Sequence, residues 1–209
     1  MRYEPVALAR APIAASFTPA CAFAFAAAAN HPMMPHAVSD AARAQSQDGQ
    51  TGLSIVTFVE PEQIRSPSIR QLQRYWESKR IGSALPAKTD IDPSEIKPLL
   101  PYVSIVEIHH APLRVHFRLV GTEIVQASTF DFTDAWVPNG NWGEQIENAI
   151  LSVYRELVER RAPLFGIDDL IWVNGRRQRY EWGQFPLSSD GATVTHAIGL
   201  EDQRSITWD

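Results

Sequence analysis

The stretch LFGIDDLIWVNGRRQRYEWGQFPLSSDGATVTHAIGL, from Leu164 to Leu200, decides the fold class of this chain. Its β-prone runs are separated by two turn signals, Asn174–Gly175 and the Ser-Ser-Asp-Gly stretch at Ser188–Gly191. Asn-Gly between apolar runs is typical of a two-residue hairpin turn, because both residues tolerate a positive φ angle. The stretch therefore predicts three consecutive antiparallel strands.

A second group of strands precedes this stretch. The runs VSIVEIHH (Val103–His110) and RVHFRLVG (Arg114–Gly121) are separated only by Ala-Pro-Leu, which favours a hairpin. In the second run Val115, Phe117 and Leu119 alternate with polar residues, and alternate residues of a strand share one face. We expect that face to meet the core and the five strands to form one antiparallel sheet.

Helical patterns lie before and between these strands. Asn141 is expected to cap a long helix, because apolar residues recur every three or four positions from Ile146 to Val158. Pro163 should block its continuation. Asp-Pro-Ser-Glu at Asp92–Glu95 is a capping-box pattern, which predicts that a short helix starts there.

The segment QRYWESKR, Gln73–Arg80, is expected to belong to a further, N-terminal helix. Ile69, Leu72, Tyr75 and Trp76 follow the spacing that gathers side chains on one face of a helix. The charged residues between them fall around the rest of the circumference. We therefore interpret Tyr75 and Trp76 as a packing edge rather than as a grip on nucleic acid.

The composition limits the possible partners. The chain is 44% hydrophobic and 21% charged, which is enough apolar content for a core. Its net charge is −5 and its Lys and Arg residues are scattered, so no nucleic acid partner is expected. Cys21 is the single cysteine, which excludes an internal disulfide and is compatible with a reducing cytoplasm.

Residues 1–50 read as an Ala-rich tail and linker that is disordered or poorly ordered. The run Ala11–Ala29 carries no charge and could be part of an export signal. Pro12 and Pro19 interrupt it, so no stable membrane insertion is expected. We expect a cytoplasmic protein, with export as the alternative.

Four stretches, in this order and spacing, resemble the PAS family of sensory domains, in particular short stand-alone bacterial PAS proteins with an N-terminal helix. One departure from the family pattern is Asp134, which stands where a glycine would be expected and puts the usual loop conformation in question. The stretches that carry the resemblance are LQRYWESKR (Leu72–Arg80), LPAKTDIDPSEIKPLLPYV (Leu85–Val103), FRLVGTEIV (Phe117–Val125) and PLSSDG (Pro186–Gly191).

The order of elements predicts an α+β fold, and the resemblance implies a PAS-like five-stranded antiparallel sheet with helices covering one face, plus the N-terminal helix. We divide the chain into the tail (1–50), an N-terminal extension with helices (51–100) and a PAS-like core (101–203). Within the extension, Thr51–Phe58 is expected to be an edge strand or an extended arm.

The resemblance implies a ligand cavity between sheet and helices, which aromatic side chains could line. The alternative is that the same side chains simply fill the core. His196 is expected on an inward face of the last strand, where its imidazole could be a polar contact in the cavity. The candidates for a small apolar ligand are Phe117, Leu119, Phe130, Phe132, Trp172 and His196. The cofactor is left unknown, since no second feature supports haem and Cys21 lies outside the domain where a flavin adduct would form.

Two aromatic residues of the next-to-last strand predict an interface. If Phe185 and Leu187 point inward, Tyr180 and Trp182 line the opposite, outer face, because their positions differ from these by an odd number. An outer aromatic face needs a cover, which the N-terminal helix or a second subunit could supply. The interface candidates are Tyr75, Trp76, Tyr180 and Trp182, and a homodimer is expected.

The leading hypothesis is a non-enzymatic sensory or regulatory domain that works by small-ligand binding, by protein contact or by both, with an unidentified signalling protein as partner. One alternative is a small α+β enzyme that uses His109 or His196 with Asp168. Another is a purely structural interaction module with a filled core. No metal site is expected, because neighbouring histidines and neighbouring aspartates on strands point to opposite faces.

Overall fold

The computed structural model describes residues 56–128, 130–171 and 177–204. The Ala-rich tail, on which the alternative of export rests, Trp172 and the turn predicted at Asn174–Gly175 lie outside the described residues. Within these ranges, no helix combines the length and the apolar character that crossing a bilayer requires.

One antiparallel sheet forms the centre of the described part of the chain. Its strand order is β1-β5-β6-β7-β2-β3-β4. The strands are β1 (Thr57–Val59), β2 (Val103–His109), β3 (Arg114–Val120), β4 (Trp136–Val137), β5 (Leu164–Ile171), β6 (Arg177–Ser188) and β7 (Val194–Asp202). The five predicted strands are adjacent to one another in this order, which confirms the predicted antiparallel sheet.

The predicted number of five strands is wrong, because the described sheet has seven. Both additional strands are short and lie at the two edges: β1 pairs with β5, and β4 pairs with β3. Strand β1 overlaps the end of the Thr51–Phe58 run, for which an edge strand is one of the two expectations, whereas the two residues of β4 carry too little alternation to predict a strand. Both strands form because the outer backbone groups of β3 and β5 need hydrogen-bond partners.

Three α-helices flank the described sheet: α1 (Pro67–Ser78), α2 (Thr122–Ser128) and α3 (Glu144–Arg160). The long helix α3 begins later than predicted, because Gly143 and not Asn141 is its N-cap. The short helix after Asp92 is a 3₁₀ helix, Pro93–Tyr102, in which Pro98 and Pro101 lack the backbone donors of an α-helix.

The two faces of the sheet have different covers. Helix α1 packs on the face that carries Gly183 and Phe185, where Ile69 and Trp76 approach them. Helix α3 packs on the opposite face, which carries the alternate residues of β6, among them Trp182 and Gln184. We call these the α1 face and the α3 face.

A β-bulge changes which side of the sheet Leu119 occupies. In the pairing of β2 with β3, Ile105 opposes Leu119 and Val106 opposes Phe117, so Arg118 is an extra residue. An extra residue inverts the alternation beyond it. Phe117 is buried on the α3 face, whereas Leu119 lies on the other face and is 38% exposed. The prediction that both share one inward face is wrong for this reason.

Candidate functional site

A cavity of about 40 Å³ lies between the α3 face of the sheet and helix α3. A cavity needs roughly 10–15 Å³ to hold one water, so this one has room for a few non-hydrogen atoms. Strands β2, β3, β5, β6 and β7 form its floor. The lining residues are Ser104, Phe117, Phe132, Ile150, Val153, Tyr154, Asp168, Tyr180, Trp182, Gln184 and Glu201.

Aromatic rings form much of the cavity wall. The rings of Phe117 and Phe132 meet edge to face with centroids 5.0 Å apart, and Tyr154 meets Phe117 at 6.5 Å. On β6, the Trp182 indole lies over Gly166: a Cβ atom built at Gly166 would come within 2.2 Å of the ring. A glycine within a strand thus makes room for the indole.

Asp168 ties the cavity wall to the edge of the sheet. Its Oδ2 accepts a hydrogen bond of 3.0 Å from the Trp182 indole N–H, and its Oδ1 accepts one of 3.2 Å from the backbone N–H of Thr57 in β1. The residue is 2% exposed. The edge strand, the carboxylate and the indole therefore form one connected unit.

Glu201 is the second carboxyl group of the cavity. The residue is half-buried and is one of those that line the cavity. No hydrogen bond or ion pair within the described residues involves this carboxyl group. Burial raises the pKa of Glu201 to about 7, because no neighbour compensates the cost of the charged form. Burial also raises the pKa of Tyr154, with a further contribution from the charge of Glu201.

Gln184 contributes an amide to the same cavity. The residue is 7% exposed, and its side-chain oxygen has no hydrogen-bond partner among the described residues. Its amide lies against Gly199 of β7, where an added Cβ atom would come within 2.5 Å of it. An unpaired amide oxygen in a protein interior is unusual and calls for a partner.

On the α1 face, two carboxylates hold the start of helix α1. Glu181 Oε2 accepts hydrogen bonds from the backbone N–H groups of Ser66 (2.6 Å) and Arg65 (3.0 Å). The Ser66 hydroxyl donates to Asp202 Oδ2 (2.6 Å) while accepting from the Ile69 N–H (3.1 Å). Glu181 and Asp202 are 1% and 2% exposed. The helix N-terminus, with its partial positive charge, therefore docks on two buried acids.

The remainder of α1 packs as the sequence predicts. The Trp76 indole N–H donates to the carbonyl oxygen of Pro186 (2.8 Å), and the residue is 1% exposed. Its ring lies 6.2 Å from that of Phe185. The Tyr75 hydroxyl accepts a hydrogen bond from the Asp92 backbone N–H (2.8 Å).

Of the predicted pocket residues, Phe117 and Phe132 line the cavity. Phe130 packs against Phe132, with ring centroids 5.8 Å apart, but is not part of the lining. Leu119 is on the α1 face because of the bulge, and Trp172 lies outside the described residues.

His196 is on the α1 face and not in the cavity. It opposes Leu187 of β6 and Glu107 of β2, and opposed residues of paired strands share a face. The inward face predicted for His196 is thus the face that α1 covers rather than the cavity side. Its Nδ1 lies 3.1 Å from the Thr195 hydroxyl, and burial, followed by the charge of Lys88, lowers its pKa.

Tyr180 and Trp182 do not face helix α1, which corrects the placement expected for them. They are 3% and 4% exposed and line the cavity, while Phe185 and Leu187 meet α1. The predicted alternation of β6 is right, but the two faces are exchanged: helix α1 packs on the face that carries Phe185, and the cavity under helix α3 lies on the face that carries Trp182. Both sides of the sheet are apolar at this point, so alternation alone does not distinguish them.

The predicted pairing of Asp168 with His109 or His196 is not formed. Asp168 lies on the α3 face, whereas both histidines lie on the other face by the register of β2 and β7. His109 is exposed and contacts Glu107, with 2.9 Å between its Nε2 and the carboxylate. The imidazoles and the carboxylate are thus separated by the sheet.

Asp134 adopts the left-handed conformation that a glycine would supply, with φ of 67°. Asp tolerates this region better than most residues. Its carboxylate lies 2.7 Å from Nε2 of His116, and its backbone N–H donates to the Phe117 carbonyl oxygen (2.7 Å). The departure from the family pattern therefore preserves a positive φ at this position.

Sequence reasoning missed the polar half of the cavity, namely Ser104, Tyr154, Gln184 and Glu201. Glycines inside strands could have indicated it, because they mark places where another group approaches the backbone closely. Gly166 and Gly199 lie directly beneath Trp182 and Gln184.

The comparisons with known proteins give one family. Residues 64–200, more than half of the chain, match the family model described as PAS domain. No curated protein matches the chain in sequence.

Three similar solved structures each have a TM-score of 0.36. The PAS domain of a protein from Colwellia psychrerythraea is 11% identical, over 54% of this chain and 96% of that one. An RNA-binding light-oxygen-voltage receptor is 10% identical, over 73% and 38%. A variant of the fungal photoreceptor VVD is 9% identical, over 66% and 97%.

Proposed function

We propose that this chain, which belongs to the PAS domain family, senses a small molecule in the cavity and reports it through helix α1 to a partner protein, without catalysis. The observation that carries the proposal is the position of two residue pairs on β6 and β7. Trp182 opposes Glu201 on the cavity side, and Glu181 opposes Asp202 on the α1 side. The same short segment of backbone thus holds both the cavity wall and the start of the helix.

The cavity is suited to binding by its composition. Ligand sites are concave and mostly apolar, with a few polar groups that fix orientation. Here aromatic rings surround two carboxyl groups and an amide. A ligand that fits without rearrangement has only a few non-hydrogen atoms, given a volume of about 40 Å³.

Transmission needs a ligand that prefers one position of the strands over another, since a ligand that binds both states equally shifts nothing. A group that contacts Trp182 or Glu201 acts on residues one peptide away from Glu181 and Asp202. Small displacements there change the two hydrogen bonds that Ser66 donates, from its backbone N–H to Glu181 and from its hydroxyl to Asp202, each of which measures 2.6 Å in this state. The strength with which helix α1 is held on the sheet changes with these hydrogen bonds.

The outward side of α1 offers the contact to a partner. Arg70, Arg74 and Glu77 are exposed there, while Leu72 and Trp76 are buried against the sheet. We propose an unidentified signalling protein as the occupant of this side, with a second copy of the chain as the competing possibility. Light scattering of the purified chain distinguishes them, because self-association raises the measured mass.

The experiment that tests transmission fills the cavity and observes the helix. Ser104 is 3% exposed in the cavity wall, and Ser104→Leu adds apolar volume to it. Hydrogen exchange of residues 67–78, followed by mass spectrometry, should differ from that of the unmodified chain. Ser83→Leu, at an exposed position, is the matched control and should leave the exchange unchanged. Equal exchange in all three proteins would refute transmission through α1.

A further inference from the structure

The polar groups of the cavity identify the class of ligand. Asp168 and Glu201 are carboxyl groups, and Gln184, Ser104, Tyr154 and Tyr180 supply an amide and hydroxyls. Among the residues that line the cavity, none is Lys, Arg or His. The lining therefore offers acidic groups and no basic one to a bound molecule.

Among the groups that line the cavity, Glu201 most strongly favours a positively charged ligand. A buried carboxylate without a partner is unfavourable, and a cation that reaches it removes that penalty. The desolvation of this carboxyl group has already occurred on folding, so a ligand does not have to cause it. The titratable groups that share the cavity with Glu201 are Asp168 on β5, Tyr180 on β6 and Tyr154 on α3. None of them can supply a positive charge.

Gln184 provides a second and independent indication. It is 7% exposed and its side-chain oxygen lacks a partner among the described residues. A half-turn of the terminal amide exchanges oxygen and nitrogen, so the amide can present its oxygen as an acceptor to a bound N–H group. A ligand with more than one N–H donor satisfies this amide together with Glu201.

The aromatic side chains that line the cavity also favour a positively charged ligand. The faces of Trp, Tyr and Phe rings attract cations, most strongly in places shielded from water. Phe117, Phe132, Tyr154, Tyr180 and Trp182 all line the cavity. A small organic cation is therefore attracted both by the carboxyl group and by the rings around it.

We infer that the cavity binds a small organic ammonium ion with several N–H donors, held by the Glu201 carboxylate and the Gln184 amide oxygen between aromatic rings. This inference rests on the proposed function, since it names the ligand class of the same site. The volume of about 40 Å³ limits the ion to a few non-hydrogen atoms, such as a short alkylammonium.

The test uses the full chain labelled with ¹⁵N and ethylammonium chloride as the probe, at constant ionic strength. The NMR signals of the Gln184 side-chain amide, assigned by their absence in Gln184→Leu, should shift and saturate. Acetamide and sodium propionate, of similar size, serve as neutral and anionic comparisons and should bind more weakly. Removing the counter-charge with Glu201→Gln should weaken ethylammonium binding at least about tenfold, because the lost hydrogen bond involves charged groups.

Glu159→Gln is the matched control, because Glu159 is an exposed carboxylate on α3, the helix that covers the cavity. It should leave the affinity unchanged. Equal affinity in the Glu201→Gln variant, or tighter binding of propionate than of ethylammonium, overturns the inference.

The outcomes separate this inference from the proposed function. If acetamide or propionate saturates the Gln184 signal and ethylammonium does not, the cavity is a ligand site for a different class. If no probe binds but Ser104→Leu alters the hydrogen exchange of α1, the inference of an ammonium ligand is wrong, whereas the proposed transmission from the cavity to α1 is supported. If no probe binds and the exchange of α1 is unchanged, both proposals fail.

Discussion

Glu201 and Asp202 are consecutive residues of β7 whose side chains lie on opposite faces of the sheet. Glu201 lines the cavity, and Asp202 accepts a hydrogen bond from the Ser66 hydroxyl at the start of α1. The same arrangement recurs on β6, where Trp182 lines the cavity and Glu181 binds the Ser66 backbone. The adjacent strands β6 and β7 therefore each join the cavity wall to the start of helix α1.

The buried Glu201 carboxyl group should make the chain less stable as the pH rises. Its pKa is about 7 in the folded chain against 4.5 for an ordinary glutamate. Below pH 4.5 both states are protonated, and between that value and about 7 the unfolded chain loses its proton first, so folding is progressively disfavoured. The full difference corresponds to about 3 kcal/mol and is constant above the folded pKa.

Glu201→Gln isolates this effect, because glutamine does not titrate. Urea unfolding at pH 5 and pH 8 should show that the variant gains stability over the unmodified chain, by about 2–3 kcal/mol between these values. The other acids whose pKa values are lowered, such as Asp190 and Asp202, are common to both proteins and cancel. A difference that does not depend on pH would contradict the raised pKa.

Glu181→Gln should loosen the start of helix α1. The variant replaces a buried carboxylate that accepts from two backbone N–H groups with a neutral amide. Because hydrogen bonds to a charged acceptor are stronger, a loss of about 1–3 kcal/mol is expected in urea unfolding. Proteolysis near residue 66 should become faster. Glu62→Gln, at an exposed position, should change neither quantity.

Trp76→Ala should destabilise the chain by about 3–5 kcal/mol, since it removes a fully buried aromatic side chain. Trp76→Phe keeps most of the packing and loses the hydrogen bond to the Pro186 carbonyl oxygen, so about 1–2 kcal/mol is expected. Both values follow from thermal or urea unfolding. An unchanged melting temperature in Trp76→Ala would show that α1 does not cover the sheet.

Gly166→Ala should displace the Trp182 indole. The added Cβ atom would lie 2.2 Å from the ring and 2.8 Å from the backbone oxygen of Thr57, so a loss of about 1–3 kcal/mol is expected. The NMR signal of the indole N–H, which donates to Asp168, should move. Combining this change with Trp182→Leu relieves the clash with the ring. The two effects should therefore be less than additive; simple additivity would exclude contact between the two positions.

The regular elements could be predicted because their patterns are local. Helix α1 has its apolar residues at helical spacing, and its N-cap, Ser66, is a residue type that commonly begins a helix. The long helix ends at Arg160, before Pro163, as predicted. The strand hairpin of residues 103–121 is present as well. Periodicity, capping residues and proline depend on neighbours within a few positions, so the sequence contains this information.

The composition of the cavity could not be predicted in the same way. Alternation along β6 separates Tyr180 and Trp182 from Phe185 and Leu187. It does not say which of the two pairs faces helix α1, because that depends on which side of the sheet each helix packs against. Likewise, the position of Leu119 depends on one extra residue, Arg118, in the pairing of β3 with β2. Alternation gives two sets of residues without assigning either set to a side.

By itself, the sequence determined the antiparallel strands, the helices between them and the family to which they belong. Only the tertiary structure decided that Glu201, Gln184 and Trp182 meet in one cavity and that Glu181 and Asp202 meet at the start of α1. The physical reason is that these contacts join positions far apart in the chain. They depend on strand register and on which face each helix covers, and no local pattern specifies either.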